Sequence, residues 1–216
     1  MEIFKIIFWH DLKVKSKSKV FLLSNFLYFL IFLTIISILS NKILSSNQYD
    51  VTLISVILSL IVSLIANCNN FLNQDFVDGT LEQILVKYNY PEFIFLAKVI
   101  ANWVQSSFLI SLFSTIYLYF NSDASPNFLL LLLVFLALSL TLSLIFSFAS
   151  LVSLCADISF IGVIISLPLS IPTILISKIC LTENFTQNFL TLLAISFLIL
   201  ISSCVSSGKI LKILHQ

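Results

Sequence analysis

Six stretches of this chain carry no charged residue and are long enough to cross a lipid bilayer as a helix, since a hydrocarbon core of about 30 Å needs about 20 helical residues. Strands of a membrane barrel would alternate polar and apolar residues, and these stretches do not. With 59% hydrophobic and 10% charged residues, the sequence predicts an all-α polytopic membrane protein with six transmembrane helices in a single domain, residues 1–216. The stretches are residues 20–41, 51–74, 99–122, 124–156, 158–177 and 184–208.

The first 19 residues mix apolar and charged side chains. A cleaved signal peptide is one alternative, since four lysines between residues 13 and 19 precede an apolar run. That run is longer than a typical signal-peptide core and no small-x-small cleavage site follows it, so we expect a retained span. Residues 1–19 then form a cytoplasmic interfacial segment with Trp9 at headgroup depth. A topology anchor and a grip on a partner are equally compatible roles for it.

The lysines predict the orientation of the spans. With six spans and a cytoplasmic N-terminus, nine lysines fall on the inner side, and only Lys42 and Lys178 fall outside. The positive-inside rule therefore predicts that both termini are cytoplasmic. Lys98 lies slightly inside the third span, and we expect its side chain to snorkel toward the interface rather than remain buried. The inner lysines are Lys5, Lys13, Lys15, Lys17, Lys19, Lys87, Lys98, Lys209 and Lys212.

A polar segment, residues 73–83, interrupts the apolar sequence between the second and third spans. It lies within a cytoplasmic crossover, residues 67–92, which we expect to act as a coupling loop or helix. Thr80 and Gln83 have the spacing of a capping box, so a short helix is predicted to begin at Thr80 and to end by Pro91. Gly79 would allow the turn before it, and Asp78 and Glu82 would lie near its positive end.

The polar segment has two interpretations. It is either a solvated loop that only joins two helices, or a docking surface for a water-soluble partner. Docking is favoured, because Phe76, Leu81, Ile84 and Leu85 would otherwise be kept near water without a reason from loop chemistry. The candidate contact residues are Asp75, Phe76, Asp78, Gly79, Thr80, Leu81, Glu82, Gln83 and Leu85.

Residues 75–85, followed by residues 96–99 and by Asn102 and Trp103, resemble the signature of the haem exporter protein B (CcmB) family. Residues 167–172, with Pro168 and Pro172, are similar to the paired-proline segment of that family. The resemblance covers nearly the whole chain and implies a fold similar to ABC-2-type exporter permeases. The chain departs from the family pattern in having no arginine, so any contact that arginine makes in relatives must be made by lysine or lost.

The resemblance implies a permease-type membrane subunit of an ABC transporter complex in cytochrome c biogenesis. The polar segment would then be the coupling interface for a separate CcmA-like ATPase, whose ATP hydrolysis drives release of haem-loaded chaperone or haem export. Further implied partners are a CcmC-like haem-handling membrane subunit, a small CcmD-like subunit and a CcmE-like haem chaperone, with two copies of this chain in the complex. The implied location is the bacterial inner membrane, or the mitochondrial inner membrane for an organelle-encoded chain, and no nucleic acid is expected as a partner.

The residues themselves agree with a chain that is not an enzyme. Gly208 and Lys209 are followed by Ile210 and have Ser203 where a P-loop needs its first glycine, so we expect ATP on a partner subunit. No Cys-x-x-Cys-His motif is present for covalent haem attachment, and we expect this subunit to bind no cofactor or metal directly.

Pro168 and Pro172 lie one turn apart in the fifth span and form a candidate hinge, with a static kink as the alternative. Ser166 and Ser170 are expected to help satisfy the carbonyls of residues 164 and 168 that the prolines leave without amide partners. Two other functions remain open at this stage. One is the permease of another ABC exporter for glycan, lipid or drug, and the other is a membrane scaffold that assembles haem-handling proteins without transport.

Overall fold

The computed structural model describes residues 2–17, 19–43, 48–68, 72–88, 90–121, 127–156, 158–182 and 185–214. Within these ranges the chain is helical and forms no strand, as predicted. The helices are α1 (Glu2–Lys17), α2 (Lys19–Ile43), α3 (Gln48–Cys68), α4 (Asn73–Val77), α5 (Thr80–Lys87), α6 (Pro91–Asn102), a π-helical segment (Trp103–Ser107), α7 (Phe108–Asn121), α8 (Phe128–Ala156), α9 (Ser159–Thr182) and α10 (Phe185–Leu214).

Four of the described helical stretches are long and apolar enough to cross a membrane. They are Pro91–Asn121, Phe128–Ala156, Phe160–Leu181 and Gln187–Leu211. Shorter apolar stretches, Leu23–Leu39 and Asp50–Ala66, lie in α2 and α3. The protein is therefore membrane-embedded, and the count of six spans stays a prediction.

The charge-free part of the third span begins at residue 99, and its helix begins before Lys98, at Pro91, which agrees with the prediction that Lys98 lies inside this span. The end of the second span was predicted wrongly. The second was predicted to run to residue 74, whereas α3 ends at Cys68 and residues 73–77 form the separate helix α4. The absence of charge does not by itself predict where a helix ends.

Helix α8 lies at the centre of the bundle and is buried along most of its length. Its Phe135, Leu138 and Leu142 pack in one apolar cluster with Leu53 and Leu60 of α3. Helices α7, α9 and α10 also pack against it. The backbones of α8 and α9 approach closely at Gly162, where an added Cβ would lie 2.9 Å from the carbonyl oxygen of Ala149.

The polar segment, α1 and the end of α10 lie at the same end of the bundle. Ile7 of α1 packs with Ile94 and Ala97 of α6. At the same end, Leu81 of α5 shares a cluster with Leu211 of α10. Helix α1 therefore lies along α6 instead of only resting on a lipid surface.

The π-helical segment joins α6 to α7 without a break in the helix. Trp103 begins it and donates a hydrogen bond from Nε1 to Ser139 Oγ of α8 at 3.0 Å. Its ring also meets Phe108 edge to face. A π turn inserts one extra residue into a helix and rotates the side chains that follow it.

Pro168 and Pro172 lie inside α9 and are exposed on its outer surface. The helix continues through both positions. The expectation for the serines was wrong, because Ser166 Oγ donates to Val163 O at 3.0 Å and Ser170 Oγ donates to Leu167 O at 2.7 Å. Each hydroxyl reaches the carbonyl three residues back, which is not the one that a proline leaves without an amide partner.

Candidate functional site: a buried charge cluster below an exposed acidic surface

Three charged side chains from three helices meet at the polar end of the bundle. Lys98 Nζ of α6 lies 3.2 Å from Asp11 Oδ2 of α1 and 2.6 Å from Asp75 Oδ2 of α4. The Lys98 side chain is 2% exposed, that of Asp11 8% and that of Asp75 31%. We call these residues the charge cluster.

The charge cluster contains two acids and one base. Both carboxylates bind the same ammonium group, so they lie close together and repel each other when ionised. Removing a charge from water is unfavourable unless it is paired and hydrogen-bonded, and each of the three side chains is paired here. The cluster therefore fixes α1, the polar segment and α6 relative to one another.

The prediction that Lys98 snorkels was wrong. Snorkelling assumes that the interface is the nearest place where the ammonium group finds polar partners. Asp11 of α1 and Asp75 of α4 supply such partners inside the protein, at 3.2 and 2.6 Å from the ammonium group.

A second polar contact holds α1 in place. Gln105 of the π-helical segment donates from Nε2 to Leu12 O at 2.7 Å. The carbonyl belongs to the residue after Asp11. Two successive residues of α1 are therefore bound to the helical stretch Pro91–Asn121.

The predicted helix at Thr80 is present, but its capping was predicted wrongly. Gly79 occupies the N-cap position with φ of 66°, and no side chain caps the first turn. Thr80 Oγ1 instead donates to Asp75 O at 3.1 Å, which links α5 to α4. A residue with a Cβ is disfavoured at such a φ, so glycine allows the turn, as predicted.

The predicted apolar side of α5 faces the protein. Leu81 is buried against Leu72 and Leu211. Ile84 and Leu85 pack beside them, against the start of α6. The chain itself therefore shields Leu81, Ile84 and Leu85 from water. Most of the unfavourable free energy of exposing them, which was the reason to expect a docked partner, is thereby removed.

The outward side of the polar segment, together with that of the rest of α5, is exposed. Val77 is 75% exposed and Val86 is 72% exposed. We call this side the acidic surface, because it also carries Asp78 and Glu82. Its residues are Phe76, Val77, Asp78, Thr80, Glu82, Gln83 and Val86.

The nine predicted contact residues therefore fall into three groups. Five of them, Phe76, Asp78, Thr80, Glu82 and Gln83, lie on the acidic surface. Asp75, Leu81 and Leu85 instead face the bundle, and Gly79 forms the turn between the two short helices. Residues 69–71 and 89 of the predicted crossover, and residues 1 and 18 of the interfacial segment, lie outside the described residues.

Sequence reasoning missed Asp11 entirely and gave Lys98 the wrong environment. A signal for Lys98 was present, since an ionisable residue within an apolar span marks a paired and functional position. Asp11 gave no comparable signal, because one acid among the charges of an N-terminal segment has no obvious partner in sequence.

No group of three histidine, cysteine or acidic side chains within the described ranges could hold a metal ion. Cys155, Cys180 and Cys204 carry free thiols. Cys180 packs among Val134 and Leu192 as a small apolar residue.

Comparison with protein families decides the identity. The family model described as CcmB protein matches residues 2–209. This chain belongs to the CcmB family. The match includes the charge cluster and the whole polar segment. No curated protein matches the chain.

As a member of the CcmB family, the chain is a membrane component of the haem export and cytochrome c maturation system, in which it acts with other Ccm components. The family assignment favours haem handling over a glycan, lipid or drug exporter. The long apolar helices agree with this membrane location.

Proposed function

We propose that this chain is the permease-type subunit of an ABC complex and that the acidic surface contacts a separate, CcmA-like ATPase. ATP is bound and hydrolysed on that partner, and this chain is not itself an enzyme. The movement is used to release haem-loaded, CcmE-like chaperone or to export haem. A CcmC-like subunit, a CcmD-like subunit and a second copy of this chain complete the complex.

The observation that carries the proposal is the division of the polar segment into two sides. Val77 and Val86 are apolar and largely exposed, and Asp78 and Glu82 lie beside them. Apolar side chains rimmed by charges are typical of a protein interface. The inward side already has its apolar partners, so the outward side is the one available for docking.

The charge cluster supplies a path for movement. Phe76 and Val77 lie in the same short helix as Asp75, whose carboxylate binds Lys98 at 2.6 Å. Lys98 belongs to the helical stretch Pro91–Asn121, which is long enough to cross the membrane. A displacement of α4 by a partner would therefore pull on the third span through an ion pair and, through Asp11, on α1.

The lysine distribution supports a cytoplasmic position for this end of the bundle. Helix α1, the polar segment and the end of α10 lie together there, and these regions contain most of the lysines. With α2 and α3 as spans, the chain crosses six times and both termini are cytoplasmic. An ATPase in the cytoplasm can then reach the acidic surface.

Charge reversal tests the proposed contact. Glu82→Lys and Asp78→Lys should each reduce the co-purified ATPase by about tenfold, the effect of about 1.4 kcal/mol of lost binding. Both side chains are exposed, so insertion and folding of the chain should be unchanged. A control for an added lysine away from the acidic surface is Gln187→Lys, at an exposed position near the start of α10.

Equal ATPase recovery from the Glu82→Lys, Asp78→Lys and Gln187→Lys variants would contradict the docking role. A membrane scaffold without transport predicts a different pattern. In that case the variants would retain the haem-handling subunits, and loss of ATPase activity in the partner would not reproduce their effect on cytochrome c maturation.

A further inference from the structure

A half-open groove of about 340 Å³ lies between α2 and the junction of the π-helical segment with α7. Most of its lining is apolar, and the rings of Phe26 and Phe113 approach to 4.6 Å between centroids. Leu23, Leu109 and Phe113 are exposed along its open side. The lining residues are Leu23, Asn25, Phe26, Gln105, Ser106, Leu109, Ile110 and Phe113.

Two polar atoms of residues that line this groove are buried and have no hydrogen-bond partner among the described residues. They are Asn25 Nδ2, on a residue that is 2% exposed, and Gln105 Oε1, on a residue that is 8% exposed. Gln105 uses its other polar atom, Nε2, to bind Leu12 O. Two residues that line the groove therefore each hold one buried polar atom, a donor on Asn25 and an acceptor on Gln105, that a hydroxyl group could satisfy.

Unpartnered buried polar atoms are rare because each loses its hydrogen bonds to water without replacement. An apolar groove with a few polar groups is the usual form of a small-molecule site, and a volume of about 300–1,000 Å³ is typical. Gln105 lies in the middle of the π turn, a type of helix insertion that occurs frequently at functional sites. These are independent observations that indicate a ligand.

We propose that the groove binds a membrane lipid with a free hydroxyl group on its glycerol. The hydroxyl oxygen accepts from Asn25 Nδ2, and the hydroxyl hydrogen is donated to Gln105 Oε1. The start of an acyl chain packs against Phe26, Leu109 and Phe113, and the rest of the lipid lies along the open side. This site is independent of the proposed ATPase contact.

The depth of the two polar atoms agrees with a glycerol group. Asn25 is six residues from Lys19 along α2, and Gln105 is seven residues from Lys98. At 1.5 Å per helical residue, both lie about 10 Å from the charged end of the bundle. That depth is below the headgroups and near the start of the acyl chains.

A lipid suits the groove better than a helix from a partner. Membrane helices associate through small residues that let the backbones approach, whereas Leu23, Phe26, Leu109 and Phe113 are large. The backbone of a partner helix also has no spare donor or acceptor, since its own helix uses them. One hydroxyl supplies both from a single atom.

The test uses the purified full-length chain in detergent and two lipids that differ in one group. The first is 1,2-dioleoylglycerol, and the second is its 3-acetyl ester, which has no hydroxyl donor. Dioleoylglycerol should raise the Tm and remain bound in native mass spectrometry with at least tenfold higher affinity than the ester. Phosphatidylglycerol carries hydroxyls only in its headgroup, at a shallower depth than the hydroxyl of dioleoylglycerol. We expect it to bind more weakly than dioleoylglycerol.

Three variants complete the design. Asn25→Leu should abolish the preference for the free hydroxyl, and Leu109→Trp should block the groove from its exposed side without touching either polar atom. Gln187→Leu, a matched amide replacement outside the groove, should bind as the wild type does. Equal binding of both glycerol lipids by the wild type, or an unchanged preference in the Asn25→Leu and Leu109→Trp variants, would overturn the proposal. Failure of the wild type to bind either lipid, with loss of Ccm subunits from the Asn25→Leu variant, would assign the groove to a partner helix instead.

Discussion

Replacing Lys98 with methionine tests the charge cluster most sharply. The change removes the ammonium group that both Asp11 and Asp75 contact and fills nearly the same space with an apolar side chain. Asp11 is then left as a carboxylate that is 8% exposed and has lost its ammonium partner. Breaking a buried ion pair in this way costs about 3–5 kcal/mol, much more than the loss of a surface pair.

The magnitude can be measured as thermal unfolding of the purified chain. For a chain of this size, a loss of 1 kcal/mol lowers the Tm by about 2–4 °C, so Lys98→Met should lower it by roughly 6–20 °C. Asp11→Asn and Asp75→Asn should each cost less, because one neutral ion pair remains after either change. We therefore expect Lys98→Met to have a lower Tm than either Asp11→Asn or Asp75→Asn.

The triple variant Asp11→Asn, Asp75→Asn and Lys98→Met provides the control. It removes all three charges, and buried ion clusters replaced as a unit often retain their stability. We expect its Tm to lie above that of Lys98→Met alone. A Lys98→Met variant as stable as the wild type, or a triple variant less stable than Lys98→Met, would refute the conclusion that these charges are buried against one another.

Three further predictions concern the backbone. Gly162→Ala should lower the Tm by several degrees, since its Cβ would lie 2.9 Å from Ala149 O and overpacking costs about 1–3 kcal/mol; an unchanged Tm would mean that α8 and α9 are not in such close contact. Gly79→Ala should speed amide hydrogen exchange in α5, because φ of 66° disfavours alanine by about 1–2 kcal/mol. Gly79→Asn should speed it less, because asparagine tolerates this φ better than alanine does. Equal exchange rates in the two variants would argue against the left-handed turn. Replacing both Pro168 and Pro172 with alanine should raise the Tm by restoring helix amides and should impair cytochrome c maturation if α9 bends during function, whereas normal cytochrome levels would leave only a static kink.

Apolar length and local turn chemistry made much of the fold predictable. Charge-free runs identified every long helix, since in hydrocarbon a segment must satisfy its own backbone. Gly79 and Thr80 correctly marked the start of α5. The end of α3 was missed because the absence of charge does not by itself predict where a helix ends.

The candidate site was only partly predictable. Sequence predicted that the charges of residues 73–83 meet water or a partner, and five of the nine predicted contact residues are exposed, while their contact with an ATPase stays a prediction. It could not show that Leu81 and Leu85 turn inward, since their partners come from α6 and α10. The pairing of Lys98 with Asp11 joins positions far apart in the chain, and the unpartnered atoms of Asn25 and Gln105 exist only where α2 meets the π-helical segment.

Site-specific photo-crosslinking in the intact Ccm complex tests the central claim most directly. A photoreactive residue at Val86, which is exposed on α5, should form an adduct with the ATPase subunit. The same residue at Leu81, which is buried on the opposite side of that helix, should form none, and Gln187 serves as a second negative position. An ATPase adduct at Gln187, or none at Val86 in a complex that retains the ATPase, would contradict the account.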